Sequence, residues 1–186
     1  MNLTKASMGI ALPLYTLILF LLSISFNHVG HRNLVSADEA LIQSECHNAD
    51  NPATCIRCVK SDPRGESADK VGIATIVLSC LIHSAEVQSA NMIDLTKYDF
   101  EEDVKQMLLN CATGFFEAQI NLTNATDLLM NKDYNGTNSL VKQALVQEVK
   151  CRRALENRHV THAAMVYDMR GYEELSNAAM RIVDRF

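Results

Sequence analysis

Residues 99–132, DFEEDVKQMLLNCATGFFEAQINLTNATDLLMNK, carry the longest helical pattern in the chain. Apolar residues recur there every three or four positions, the spacing that places them on one face of an α-helix. These residues are Leu108, Cys111, Phe115, Ala118, Leu122, Ala125 and Leu129. Asp99 and Glu102 have the spacing of a capping box, which satisfies backbone N–H groups at a helix start. The stretch therefore predicts one long amphipathic helix from about Asp99 to about Lys132.

The same spacing predicts three further helices, over about residues 67–90, 137–156 and 163–186. The first of them has apolar residues on two faces and so needs two neighbours. Before it, residues 37–46 and 54–60 form two short helical segments separated by the turn signal Asn51-Pro52. We therefore predict an all-α fold: an up-down-up-down four-helix bundle with an N-terminal helical hairpin, linked by disulfides.

Two details of the bundle follow from its polar residues. Glu148 interrupts the apolar face of the helix at 137–156. We expect it to turn outward and pair with Arg152, one helical turn further on. The polar segment 157–162 is predicted to be a loop that leads into the last helix.

The N-terminus has the pattern of a secretory leader. An apolar run at 10–26 follows Lys5, is interrupted by Pro13 and is slightly short for a membrane span. Small residues allow cleavage after position 37 or after position 25. We therefore predict a signal peptide at 1–37 and one helical domain at 38–186, with no membrane contact after the leader is removed.

Composition and charge narrow the class of protein. The chain has 186 residues, 48% of them hydrophobic, with no Trp, 3 Pro and 7 Gly, which favours helices. Removing residues 1–37 takes away Lys5 and Arg32 and no acid, which leaves 15 basic residues against 22 acidic ones. This negative charge argues against a nucleic acid or an anionic membrane as partner.

Three N-glycosylation sequons follow the leader, at Asn121, Asn124 and Asn135. By the helical pattern, Asn124 falls on the far side of the long helix from its apolar face and Asn121 at its flank. We expect Asn135 to lie in the connection between two helices, where sugar is attached most readily. Three sequons together with a leader indicate a eukaryotic secretory route.

The six cysteines are expected to have structural roles, because secretion permits disulfides. Cys111 and Cys151 point inward on helices that should be antiparallel neighbours, so we expect them to be bridged. A second bridge would join Cys46 to Cys55 within the hairpin. The sequence does not decide how the last two cysteines are paired. Cys58 and Cys80 form either a third bridge or two buried free thiols.

No catalytic or metal-binding constellation can be assembled from the sequence. The pair Cys55 and Cys58 has redox spacing, but no βαβ pattern surrounds it. His47 and the isolated His83 do not complete a zinc site, and no nucleophile has an oriented base. We therefore expect a protein that is not an enzyme, with no cofactor and no metal, whose function depends on a surface.

From about Ala40 to Phe186 the chain resembles the plant invertase and pectin methylesterase inhibitors. The resemblance rests on short motifs in a fixed order: the spacing of Cys46 and Cys55, Lys60-Ser61-Asp62-Pro63-Arg64 with Ala68-Asp69, Leu109-Asn110-Cys111, Lys132-Asp133-Tyr134, Cys151, and Leu175-Ser176-Asn177-Ala178. It implies disulfides at Cys46–Cys55 and Cys111–Cys151. It also implies a protein of the plant cell wall or vacuole that covers the active-site cleft of a cell-wall enzyme in a one-to-one complex.

Some positions depart from the family pattern. Asn110 and Lys150 stand where the family often has Asp and Thr, and Cys58 and Cys80 are additional. Invertase inhibitors often carry Pro-Lys-Phe where this chain has Lys132-Asp133-Tyr134, which weakens the assignment to invertase. A glycan on Asn135 would crowd the same region.

The expected function is a secreted inhibitor of the apoplast, with pectin methylesterase slightly preferred over acid invertase as the partner. The alternative is a secreted helical regulatory or signalling module without inhibitory activity. Candidate contacts with the target enzyme are exposed polar residues of the second and third bundle helices. These are Gln119, Asp133, Tyr134, Gln143 and Gln147.

Overall fold

The computed structural model describes residues 39–160 and 163–186. The helices are α1 (39–46), α2 (Pro52–Ser61), α3 (Lys70–Leu95), α4 (Glu102–Met130), α5 (Tyr134–Asn157) and α6 (Ala163–Val183), with a 3₁₀ turn at Gly65–Ser67. These described residues contain no β-strand. The predicted signal peptide at 1–37 lies outside the described residues.

The four long helices form the predicted bundle. Each packs on the next along the chain, and α6 closes the ring against α3. Across its centre, the ring of Phe115 on α4 meets the ring of Tyr172 on α6 edge to face, with centroids 6.0 Å apart. Both side chains are fully buried. The compact unit Leu41–Phe186 is therefore an all-α, up-down-up-down bundle, as the helical spacing predicts.

Helix α3 has the apolar residues that a central position requires. Its 26 residues are long and apolar enough to cross a membrane by length and composition. A core helix meets the same criteria, and both apolar faces of α3 are in use. It packs against α4 and α6 of the bundle, and also against α2. The two-faced pattern in the sequence thus correctly predicts a second neighbour.

Three disulfides connect these elements. Cys46–Cys55 joins α1 to α2, Cys58–Cys80 joins α2 to α3, and Cys111–Cys151 joins α4 to α5. The first and last confirm the predicted bridges. The question that the sequence left open is answered by a third bridge, because α2 packs on α3 where Cys80 lies.

The starts of two helices differ from their predicted positions. Helix α3 begins at Lys70, because the side chain of Asp69 accepts a hydrogen bond from the N–H of Gly72 at 2.7 Å. Helix α4 begins at Glu102 with Glu101 as its N-cap and without a side-chain capping bond. The capping box predicted at Asp99 is therefore wrong, since this residue lies two positions before the true N-cap.

The connection between α4 and α5 is shorter than expected. The side chain of Asp133 accepts a hydrogen bond from the N–H of Gly136 at 2.9 Å, so α5 begins at Tyr134. Lys132 has a φ of 62°, which reverses the chain just before this cap. After α5, His159 lies in a turn with a φ of 54°. Residues 161–162 of the predicted loop lie outside the described part of the chain.

Candidate functional site

The α4–α5 face carries two of the predicted contact residues, Gln143 and Gln147. Cys111–Cys151 joins the two helices covalently. On the same pair, the Nε2 of Gln147 donates to a carboxylate oxygen of Glu117 at 3.0 Å. The half-buried amide of Gln147 is therefore held against α4. Glu117 itself was not among the predicted contacts, although its exposed position on α4 follows from the helical pattern.

Gln143 lies near this contact, whereas Gln119 lies on another side of α4. Gln143 is exposed one turn before Gln147, and its amide lies 3.4 Å from the hydroxyl of Ser139. Gln119 is half-buried on α4, two residues beyond Glu117. Two residues turn an α-helix by about 200°, so Gln119 lies on the other side of α4 from Glu117. That side faces α3, where the hydroxyl of Ser89 donates to the carbonyl of Ala112. The structure thus brings Gln143 and Gln147 to one region and leaves Gln119 outside it.

Asp133 and Tyr134 lie elsewhere, at the start of α5. Tyr134 is about 20 Å from Gln147 along the helix axis, at 1.5 Å per residue. Asp133 uses its side chain to cap the helix. The ring of Tyr134 is half-buried and stacks on the ring of Phe186, with centroids 4.9 Å apart. Both residues therefore have structural roles, and they do not form one compact site with the glutamines.

The sequons occupy three positions on α4 and α5. Asn124 is exposed and Asn121 is half-buried, in agreement with the helical pattern. The prediction that Asn135 lies in a connection is wrong, because the cap at Asp133 places it in the first turn of α5. Its side chain is nevertheless exposed. The sequon threonine, Thr137, is fully buried and donates to the carbonyl of Asp133 at 2.8 Å.

A buried acid lies on the inner side of α5. Glu148 is fully buried, so the prediction that it turns outward is wrong, while its pairing with Arg152 is confirmed at 2.8 Å. Arg152 also contacts Glu173 of α6 at 3.2 Å. Burial raises the pKa of Glu148, and the bond to Arg152 opposes that rise. The pair links the core to the surface between α5 and α6.

The described residues contain no group of three or more His, Cys, Asp or Glu that could hold a metal ion. Their cysteines are all in disulfides. What the geometry offers is a rigid polar face on two covalently linked helices. Such a face suits binding to another macromolecule.

The chain is similar to known proteins over nearly all of this domain. The family model described as "Plant invertase/pectin methylesterase inhibitor" matches residues 40–182. A protein of Platanus orientalis described as "Putative invertase inhibitor" is 21% identical over 155 residues, which cover 80% of this chain and 90% of that protein.

Two solved structures have the same fold. A mutant form of a pectin methylesterase inhibitor from Arabidopsis has a TM-score of 0.66 at 18% identity, over 77% of this chain and 95% of the other. A pectin methylesterase inhibitor from Arabidopsis thaliana has a TM-score of 0.59 at 18% identity, over 77% and 93%. Members of the matched family are inhibitors, not enzymes. The chain therefore belongs to the plant invertase/pectin methylesterase inhibitor family.

Proposed function

We propose that the protein is a secreted inhibitor that binds a pectin methylesterase in a one-to-one complex and covers its active-site cleft. Acid invertase is the second target in order of preference. The observation that carries this proposal is the α4–α5 face, where a disulfide and the contact between Gln147 and Glu117 hold polar side chains on a rigid surface. Inhibition would follow from exclusion of the substrate.

Rigidity supports this mechanism, because a surface that is already ordered loses little side-chain freedom on binding. Gln147 is held before any partner arrives, and Gln143 lies one turn away on the same helix. Amide side chains can donate to and accept from polar groups that line an enzyme cleft. We infer that Gln143 and Gln147 form the centre of the contact and that Gln119, Asp133 and Tyr134 lie at its edges.

The preference for pectin methylesterase rests on Lys132-Asp133-Tyr134, the triplet that replaces the Pro-Lys-Phe expected of invertase inhibitors. Lys132 reverses the chain, Asp133 caps α5 and Tyr134 stacks on Phe186. The triplet thus shapes the start of α5 and does not reproduce the pattern expected of an invertase inhibitor. A glycan on the exposed Asn135 would cover the same end of the bundle.

We also propose that the leader directs the chain to the apoplast or cell wall, with the vacuole as the alternative. Glycans on Asn121, Asn124 and Asn135 would mark passage through the secretory route. Expression of the full chain in plant cells, followed by mass spectrometry of the secreted protein, identifies both the mature N-terminus and the occupied sequons.

Inhibition is tested with the secreted, oxidised protein against one pectin methylesterase and one acid invertase. We expect the esterase activity to fall to its minimum at equimolar inhibitor, and size-exclusion chromatography to give a one-to-one complex. Gln147→Lys should weaken inhibition, whereas Asn48→Lys, an exposed change in the hairpin, should leave it unchanged. If both enzymes keep full activity, the proposal is wrong.

A further inference from the structure

A groove of about 550 Å³ lies between the hairpin helix α2 and the bundle helices α3 and α6. Small-molecule sites commonly have volumes of roughly 300–1,000 Å³. Each of the three helices contributes polar and apolar side chains to its walls. The residues on which the argument depends are Arg57, Val87, Gln88, Tyr167, Asp168 and Gly171. None of them belongs to the α4–α5 face.

Gly171 is unexplained by the packing of the chain itself. It lies inside α6, where glycine is less favourable than alanine. Its φ is not positive, so the backbone does not require glycine. A Cβ atom built there would meet no atom within 4 Å. Packing within the chain gives no steric reason for this glycine, whereas a ligand lying close to the α6 backbone would give one.

Gln88 is the second independent observation. Its side chain borders the groove from α3 and is only 1% exposed, yet neither amide atom has a hydrogen-bond partner within the described residues. Buried polar groups are nearly always paired. A hydroxyl group, or a water molecule that it immobilises, can both accept from the Nε2 and donate to the Oε1. The occupant indicated by Gln88 is therefore polar and able to do both.

The charges on the groove walls are balanced. Arg57 and Asp168 are exposed and form no ion pair within the part of the chain that the structure describes. Arg170 pairs with Glu174, which also accepts from the hydroxyl of Thr54 at 2.7 Å. Two cationic and two anionic side chains thus line the same space. This balance favours an uncharged ligand over an acidic or a basic one.

The rim of the groove is apolar and aromatic. Tyr167 is 66% exposed, and Val87, on the facing helix, is 39% exposed. An exposed aromatic ring beside hydrogen-bonding groups matches a ligand with one apolar face and a polar edge. A pyranose ring has this form, because its C–H groups line one face while its hydroxyls project around the edge.

We propose that the groove binds an uncharged oligosaccharide. One sugar ring lies against Tyr167, and Gly171 leaves room for it beside α6. Its hydroxyls satisfy the amide of Gln88 and contact Arg57 and Asp168. This site is separate from the inhibitory face, so it does not depend on the proposed function. A fragment of a wall polysaccharide and the glycan of a glycoprotein share this chemistry.

Isothermal titration calorimetry of the secreted full chain tests the proposal. The probes are cellotetraose, xylotetraose and β-1,4-galactotetraose as wall fragments, a released high-mannose glycan, and tetragalacturonate as the charged comparison. We expect at least one neutral probe to bind at millimolar concentration or below and tetragalacturonate to bind more weakly. Which neutral probe binds distinguishes the two sources.

Variants locate the binding. Tyr167→Ala should lower the affinity about tenfold, and Gly171→Leu should abolish binding because its side chain fills the groove. Tyr98→Ala is the matched control, since Tyr98 is 65% exposed and lies outside the groove. The proposal is overturned if no neutral probe binds, if tetragalacturonate binds most tightly, or if Tyr167→Ala and Gly171→Leu both leave the affinity unchanged.

Discussion

Glu148, fully buried on α5, accepts a hydrogen bond from the guanidinium of Arg152 one turn further along the same helix, at 2.8 Å. The second carboxylate oxygen of Glu148 has no partner within the described residues. Burial consequently outweighs the attraction of Arg152, and the pKa of Glu148 is raised above its ordinary value of 4.5. A buried charge that is only partly satisfied makes the fold sensitive to pH.

Replacing Glu148 by Gln should remove part of this sensitivity. The folded chain keeps the proton of Glu148 at pH values where the unfolded chain has lost it. This group's contribution to stability is therefore complete below about pH 4.5 and is lost as pH rises through the folded pKa. We expect Glu148→Gln to be as stable as the parent in acid and more stable at neutral pH. Urea unfolding on both sides of pH 4.5 measures the difference.

The comparison must use the difference between variant and parent, because other groups titrate in the opposite direction. Glu174 has its pKa lowered, chiefly by the hydroxyl of Thr54, so its contribution is lost as pH falls. Glu173→Gln is the control, because it removes a half-buried acid beside Arg152 without removing a fully buried charge. If Glu148→Gln and the parent have the same free energy of unfolding at every pH, the buried carboxylate does not lower stability at neutral pH.

Loss of the disulfides should destabilise the chain in the order of the loops that they close. Cys111–Cys151 spans 40 positions and Cys58–Cys80 spans 22. The chain-entropy model assigns about 4 kcal/mol to the first and about 3 kcal/mol to the second. We expect the double variant Cys111→Ala/Cys151→Ala to lose more free energy of unfolding than Cys58→Ala/Cys80→Ala. Urea denaturation of the secreted variants measures both losses.

The disulfides also show which parts of the fold could be predicted from the sequence. Cys111 and Cys151 lie on apolar helical stripes, and this local pattern is enough to place them on facing helices. The bridge between Cys58 and Cys80 depends on how the hairpin packs against α3 and α6. That packing joins segments distant along the chain, so no local pattern contains it. The groove beside this bridge was missed for the same reason.

Errors in the sequence-based prediction have a common physical origin. Helix spacing places Glu148 on an apolar face, and its pairing with Arg152 is a local relationship that the sequence contains. The same spacing places Glu148 among the buried residues of α5, and Arg152 extends from it to Glu173 on α6. Similarly, the start of α4 depends on which of several acids becomes the N-cap, and Glu101 does so in place of Asp99.

Thr137 has a structural role that is separable from its place in a sequon. Its buried hydroxyl donates to the carbonyl of Asp133 at 2.8 Å. Thr137→Val removes this bond at nearly constant volume and should cost about 1 kcal/mol of unfolding free energy. Asn135→Gln removes the same sequon but changes only an exposed side chain. We expect its enzymatically deglycosylated form to be as stable as the deglycosylated parent; equal losses in the two variants would contradict this assignment.

Two glycines should respond to alanine in opposite directions. At Gly171 a Cβ meets nothing within 4 Å, so Gly171→Ala should stabilise α6 by about 1 kcal/mol. At Gly65 a Cβ would lie 2.2 Å from the carbonyl oxygen of Val59, which is backbone and cannot move aside. Gly65→Ala should therefore lower the melting temperature while Gly171→Ala raises it. A rise in melting temperature for Gly171→Ala would show that the folded chain itself does not require glycine at position 171.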